Sequence, residues 1–214
     1  MISPKAIIFD MDGVLLDTET ICDITWERAA KEFNIDNPQE AINLCRGTNS
    51  GDTILILKQL FGENFPAENF ISKTLEYFYQ IEFSQGLPLM PFAKEALEYL
   101  KPKYKIGLAS STCGTSVKRQ LTNAELIHYF DICITGDMVK HSKPAPDIYA
   151  MACNAVKELP ENCVAIEDSP NGIKSAIAAG MKTIMIPDKI PVTEEINKIC
   201  YRVLKNLEEL TKIF

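Results

Sequence analysis

A chain of 214 residues, 46% hydrophobic and 24% charged, has room for one large domain or for one domain carrying a smaller insertion, and this composition excludes wholesale disorder. A net charge of −7 excludes the clustered Lys and Arg that a generic polyanion such as DNA requires, although a small phosphate can still bind locally. Seven cysteines without a C-x-x-C pair and only two histidines, His128 and His141, speak against a disulfide framework and a His-rich zinc site, which leaves carboxylates, hydroxyls and lysine to carry any chemistry.

The first predicted element is the strand AIIF at 6–9, which stops at Asp10 within IIFDMDGVLLDTE. Residues 16–87 then contain three helical patterns with no strand between them. Ile21, Thr25, Trp26, Ala29 and Phe33 share one face; Ser50, with Asp52 in the first turn, opens a second helix that closes at Gly62; Phe70, Ile71, Leu75 and Phe78 mark the third. This reads as an inserted helical unit, followed by SQGLPLMP, whose Gly and Pro residues suit a linker.

Beyond the linker, helix and strand alternate. A helix with Phe92, Ala96, Leu97 and Leu100 on one apolar face stops at Pro102, and then come KIGLA at 105–109, DICIT at 131–135, the helix PDIYAMACNAVKEL at 146–159, CVAI at 163–166, the helix NGIKSAIAAG, KTIMI at 182–186 and a last short strand near Tyr201–Leu204. The strands are nearly continuously apolar, as strands covered on both faces must be. The expected fold is therefore a doubly wound parallel α/β sheet, with residues 1–15 and 88–214 as the core domain and 16–87 as a helical cap. No apolar run approaches a membrane span and no leader pattern opens the chain, so a cytoplasmic protein with reduced thiols is expected.

In such sheets ligands sit at the carboxyl ends of the strands. Asp10 and Asp12 follow the first strand, Glu167 and Asp168 follow CVAI, Ser110 follows KIGLA, and Lys143 lies in HSKPAP after DICIT. A lone D-x-D is commonly a solvated acidic turn, and Ser110 or Lys143 alone reads as a local cap or a loop lysine. Four strand ends together offer one coherent set. If Asp10, Asp12, Glu167 and Asp168 converge, their repulsion calls for a cation, and oxygen ligands alone suit Mg²⁺. Ser110 precedes STCGTSVKRQ, which leads into a helix whose first N–H groups should remain available to an anion.

In this order, DMDGVLLDTE, LASST, SKPAPD and AIEDSPNGI resemble the four motifs of the haloacid dehalogenase superfamily, and the inserted helices resemble the small cap of its beta-phosphoglucomutase-like subfamily. The resemblance implies Asp10 as nucleophile and Mg²⁺ ligand, Asp12 as general acid and base that also lends its carbonyl to the ion, Asp168 as a direct ligand and Glu167 as a direct or water-mediated one. Ser110, the Ser111 backbone and Lys143 would hold the phosphate. It implies a Mg²⁺-dependent phosphatase that acts through an aspartyl-phosphate on a small phosphorylated metabolite such as a sugar phosphate. A monomer without nucleic-acid or membrane partners is expected.

A sugar-phosphate mutase is the alternative enzyme. Against it, Cys22 and Ser50 stand where that mutase has a His that orients the acid-base Asp and an Arg that grips a second phosphate, while Arg46 lies close enough in sequence to substitute. The non-enzyme alternatives are a phospho-acceptor domain, whose acceptor Asp would follow the third strand and not the first, and a phosphate-binding regulatory domain. Asp17, Thr18 and Glu19 read equally as a helix cap with first-turn charges or as part of a cap hinge.

Overall fold

The computed structural model describes residues 3–46, 48 and 50–214, without the side chain of Ser50. Strand β1, Ala6–Phe9, is buried throughout. Ala6 and Ile8 pack in a cluster with Tyr149 and Ala152, while Ile7 and Phe9, which alternate to the opposite face, are equally inaccessible. Both faces of the sheet are thus covered, which explains why the strand sequence shows no polar alternation.

Five further strands are β2 (Lys105–Ser110), β3 (Ile132–Thr135), β4 (Cys163–Glu167), β5 (Lys182–Met185) and β6 (Arg202–Val203). They form one parallel sheet in the order β3-β2-β1-β4-β5-β6. From β1 the chain builds outward through β2 and β3, then returns to the other side of β1 for β4 and β5. That reversal opens a crevice at the carboxyl ends of β1 and β4, where doubly wound folds bind ligands.

The insertion holds α1 (Thr18–Glu32), α2 (Gln39–Cys45), α3 (Ser50–Phe61) and α4 (Ala67–Gln85). Sequence periodicity anticipates three of these. The fourth, α2, spans only seven residues after Pro38 and buries Ala41, Ile42 and Cys45, too short a pattern to stand out. Phe70 centres the packing, edge-on to Trp26 at 5.2 Å and to Phe33 at 5.3 Å between ring centroids. Helix α4 ends at Gly86, whose φ of 76° places it in the left-handed region while its N–H donates to the Glu82 carbonyl.

The α/β portion carries α5 (Ala93–Leu100), α6 (Gly114–Asn123), α7 (Asp147–Val156), α8 (Pro170–Ala178), α9 (Glu194–Ile199) and α10 (Leu210–Ile213). The chain separates into two compact units, Thr18–Leu87 and the remainder. Leu16 and Asp17 belong to the α/β unit because backbone bonds hold them there. Gly13 N–H donates to the Leu16 carbonyl and Asp17 N–H to the Pro88 carbonyl, each at 2.9 Å, and Met90 N–H reaches the Leu15 carbonyl at 2.9 Å. No described helix is long and apolar enough to cross a membrane.

Candidate active site

Strand register builds the site. Phe9 lies beside Ile166 of β4 and Leu108 of β2, so the next residues, Asp10 and Glu167, emerge side by side, with Asp10 N–H donating to the Ile166 carbonyl at 2.9 Å. Asp10, Glu167 and Asp168 are all buried, and one oxygen from each lies within 4.8 Å of the others. Lys143 reaches into this set from the loop after β3. Its ammonium donates to Asp10 Oδ1 at 2.8 Å, to Glu167 Oε1 at 2.7 Å and to the Ala109 carbonyl at 3.0 Å, a use for each of its three protons.

Glu167 is the most heavily engaged of the carboxylates. Its Oε1 also accepts from the Tyr149 hydroxyl at 2.9 Å, while Oε2 accepts from the backbone N–H groups of Asp168 and Ser169 at 3.1 Å and from Ser169 Oγ at 3.0 Å. Ser169 in turn caps α8 by accepting from Gly172 N–H. Residue 172 must be glycine here, since a Cβ would run into the Glu167 carboxylate. These bonds, led by the ammonium, outweigh burial and hold the Glu167 pKa below the ordinary value.

Three carboxylates face one ammonium. Burial pushes Asp10 up to about 7; Lys143 opposes the rise, and Glu167 and Asp12 add to it. Burial disfavours the Lys143 charge as well, yet Asp10 and Glu167 overcome it and raise the lysine above its usual range. Burial and Glu167 likewise keep Tyr149 protonated, hence a donor. An oxygen-only, buried set with surplus negative charge fits a hard divalent cation, and Asp10, Asp168 and Glu167 are the side chains that can hold it.

Asp12 stands apart from that set. Its Oδ2 accepts from Thr112 Oγ1 at 2.9 Å and from Ser110 Oγ at 3.4 Å. Gly13 follows with φ at 72°, and a Cβ there would sit 2.5 Å from Asp168 Oδ2, so both conformation and space require glycine. Ser110 is buried, whereas Ser111 is exposed. Thr112 was not among the residues expected from sequence, although it lies within LASST and so belongs to the same strand-end turn. The helix after this turn also differs from expectation: at the start of α6, Gly114 N–H is already taken by Asp137 Oδ1 at 2.8 Å, so this donor is not available to an anion.

Within the helical unit, Arg46 is clamped by two carboxylates of α1, with Nη1 2.5 Å from Glu19 Oε2 and Nη2 2.7 Å from Asp23 Oδ1. Glu19 thus serves as an ion-pair partner of Arg46. Of RGTNSGD at 46–52, Gly47, Asn49 and the Ser50 side chain, the position compared with the mutase's Arg, lie outside the described residues.

The family model for haloacid dehalogenase-like hydrolases matches residues 7–186, from β1 to just past β5. The chain belongs to this family. The four-motif resemblance is thereby borne out, and the hydrolase fold is shared with solved structures. This haloacid dehalogenase-like hydrolase is 34% identical over 181 residues to a phosphorylated carbohydrates phosphatase of Thermotoga maritima, covering 84% of this chain and 83% of that protein. A Thermotoga maritima structure with a provisional beta-phosphoglucomutase name superposes with a TM-score of 0.80 at 29% identity, over 98% of this chain and 97% of its own. CbbY from Rhodobacter sphaeroides, solved in complex with phosphate, gives 0.78 at 26% identity, over 97% and 96%.

Proposed function

We propose that this hydrolase is a Mg²⁺-dependent phosphatase that removes phosphate from a small phosphorylated carbohydrate through an aspartyl-phosphate on Asp10. The observation that carries the reading is the buried set in which Lys143 holds Asp10 Oδ1 at 2.8 Å beside Glu167 and Asp168. A carboxylate and a phosphate monoester are both anions, and their meeting requires concentrated positive charge. Lys143 supplies part of it from the protein. Asp10 and Asp168, with Glu167 behind them and the Asp12 carbonyl in support, would hold Mg²⁺, which when bound offsets phosphate charge.

The chain's own groups then have distinct tasks. An Asp10 carboxylate oxygen bonds to phosphorus while the bond to the departing alkoxide breaks, and Asp12 in its acid form gives that oxygen a proton. In the second step the Asp12 carboxylate takes a proton from water as the water oxygen attacks phosphorus, and Asp10 departs as a carboxylate. Ser110, the Ser111 backbone and Lys143 orient the phosphoryl oxygens. Glu167, spent on five hydrogen bonds, acts chiefly by fixing Lys143 and the start of α8.

Hydrolysis is favoured over isomerisation by the state of Arg46. A mutase must retain a bisphosphate, and the charge of Arg46 is already answered by Glu19 and Asp23. The phosphatase name of the Thermotoga relative supports the same choice. Seven cysteines with no disulfide among them are compatible with a reducing, cytoplasmic setting, and a monomer needs no further subunit to complete this set of residues.

The decisive experiment is a screen of sugar, polyol and nucleoside phosphates with Mg²⁺ that follows inorganic phosphate, coupled to acid quench and mass spectrometry for phosphate on Asp10. Turnover of beta-glucose 1-phosphate primed with glucose 1,6-bisphosphate, followed for glucose 6-phosphate, separates the two enzymes. Isomerisation with little phosphate release would overturn the phosphatase reading.

A further inference from the structure

The geometry points to Thr112 as the positioning residue for Asp12, an inference that rests on Asp12 being the acid and base of the proposed reaction. Thr112 Oγ1 donates to Asp12 Oδ2 at 2.9 Å, and Ser110 Oγ approaches the same oxygen at 3.4 Å. Thr112 therefore makes the shorter bond. Both hydroxyls address Oδ2, which leaves Oδ1 as the oxygen that carries the proton to the departing alkoxide.

The hydroxyl can aim Asp12 because its own backbone is fixed at two points. Thr112 N–H donates to Ser110 Oγ at 3.1 Å, and the Thr112 carbonyl accepts from Gly136 N–H at 3.0 Å. Residue 136 must be glycine for this approach, since a Cβ would collide with the Ser111 carbonyl oxygen. The turn after β2 is thus locked onto the turn after β3, and Thr112 is presented by two adjacent strand ends. An acid held by such a support is pre-oriented, and orientation is what a general acid contributes beyond its proton.

Both hydroxyls that aim Asp12, those of Thr112 and Ser110, belong to the α/β unit. That matters for specificity. Asp12 is ready for any leaving group that reaches the site, and proton delivery becomes decisive only when the leaving group is a poor one.

The test uses that chemistry on the full-length protein with Mg²⁺. Thr112→Val keeps the side-chain shape and removes the donor; Thr112→Ser keeps the donor. For a sugar or alkyl phosphate, whose alkoxide must be protonated as the P–O bond breaks, Thr112→Val should lower kcat/KM about ten- to a hundredfold. For 4-nitrophenyl phosphate, whose phenolate leaves unprotonated, kcat/KM should change by less than about threefold. Thr112→Ser should restore most of the alkyl phosphate rate.

Equal losses on both substrates, or no loss on either, would overturn the assignment of Thr112. Asp12→Asn serves as the separate control. If it too showed no dependence on leaving group, the role given to Asp12 would fall, whereas a strong dependence in Asp12→Asn with none in Thr112→Val would reject Thr112 alone.

Discussion

Two ion clusters in this protein use the same groups for different ends. At the ends of β1 and β4, three carboxylates meet one ammonium, with side-chain exposures of 8% for Lys143, 10% for Asp10 and none for Glu167. Against α1, two half-buried carboxylates, Glu19 and Asp23 at 28% and 27% exposure, meet the Arg46 guanidinium, itself 10% exposed. Water reaches both carboxylates of the second cluster, so its leftover negative charge is cheap. The first has no such relief, and its surplus charge becomes a demand for a cation. Burial, more than residue type, separates a reactive site from a structural clamp.

The largest effect should come from removing the proposed nucleophile. Asp10→Asn is expected to lower kcat by at least about a thousandfold while the far-ultraviolet circular dichroism is kept, and chelation of wild-type enzyme should stop turnover until Mg²⁺ is returned. Retained activity in Asp10→Asn would mean that the buried cluster is no more catalytic than the clamp.

Next in size is Lys143→Ala. Loss of the only ammonium in the set should cost about a hundredfold in kcat/KM, measured on 4-nitrophenyl phosphate. An unchanged rate would show that the carboxylates, not the lysine, define the cluster.

A pH experiment sharpens the contrast further. With Asp10 raised to about 7, a proton competes with Mg²⁺ there, so affinity should fall by up to about tenfold per unit as pH drops below 7 and level off above it. Calorimetric titration at several pH values reads this directly. The metal-free protein carries the opposite sign: the stabilisation from a raised carboxyl is fully present below the ordinary 3.8 and is lost as pH rises through about 7. Flat Mg²⁺ affinity from pH 5 to 8 would place Asp10 outside the metal site.

Smaller still is Tyr149→Phe, which deletes one donor to the Glu167 carboxylate. About 1–3 kcal/mol of stability should be lost in urea unfolding. The smallest change belongs to the partly exposed clamp, where Glu19→Gln should cost about 1 kcal/mol or less and respond to salt, while Tyr149→Phe should not.

The strands were legible because each is an apolar run covered on both sides, and with them came the expectation that Asp10, Ser110, Lys143 and Glu167 share one edge. Two features escaped. Helix α2 has only two turns, and Thr112 looks like any turn threonine until the Gly136 contact fixes it. The surroundings of Glu167 were also hidden in sequence, because an acidic residue at a strand end reads the same with or without the five donors that meet it here. Periodicity reports burial; it does not report who the partner is.

The paired segments Leu15–Asp17 and Pro88–Met90 have an evolutionary corollary. Because Asp17 and Pro88 are hydrogen-bonded neighbours, the insertion enters and leaves the α/β unit through one doorway. Closing that doorway with a short turn requires little extra loop entropy, so an insert of another length or fold can be exchanged there without disturbing the strand ends. The α/β unit is in this sense a chassis: the bonds that fix Asp10, Asp12, Glu167 and Lys143 run between its own strand ends, whatever is plugged in between residues 17 and 88.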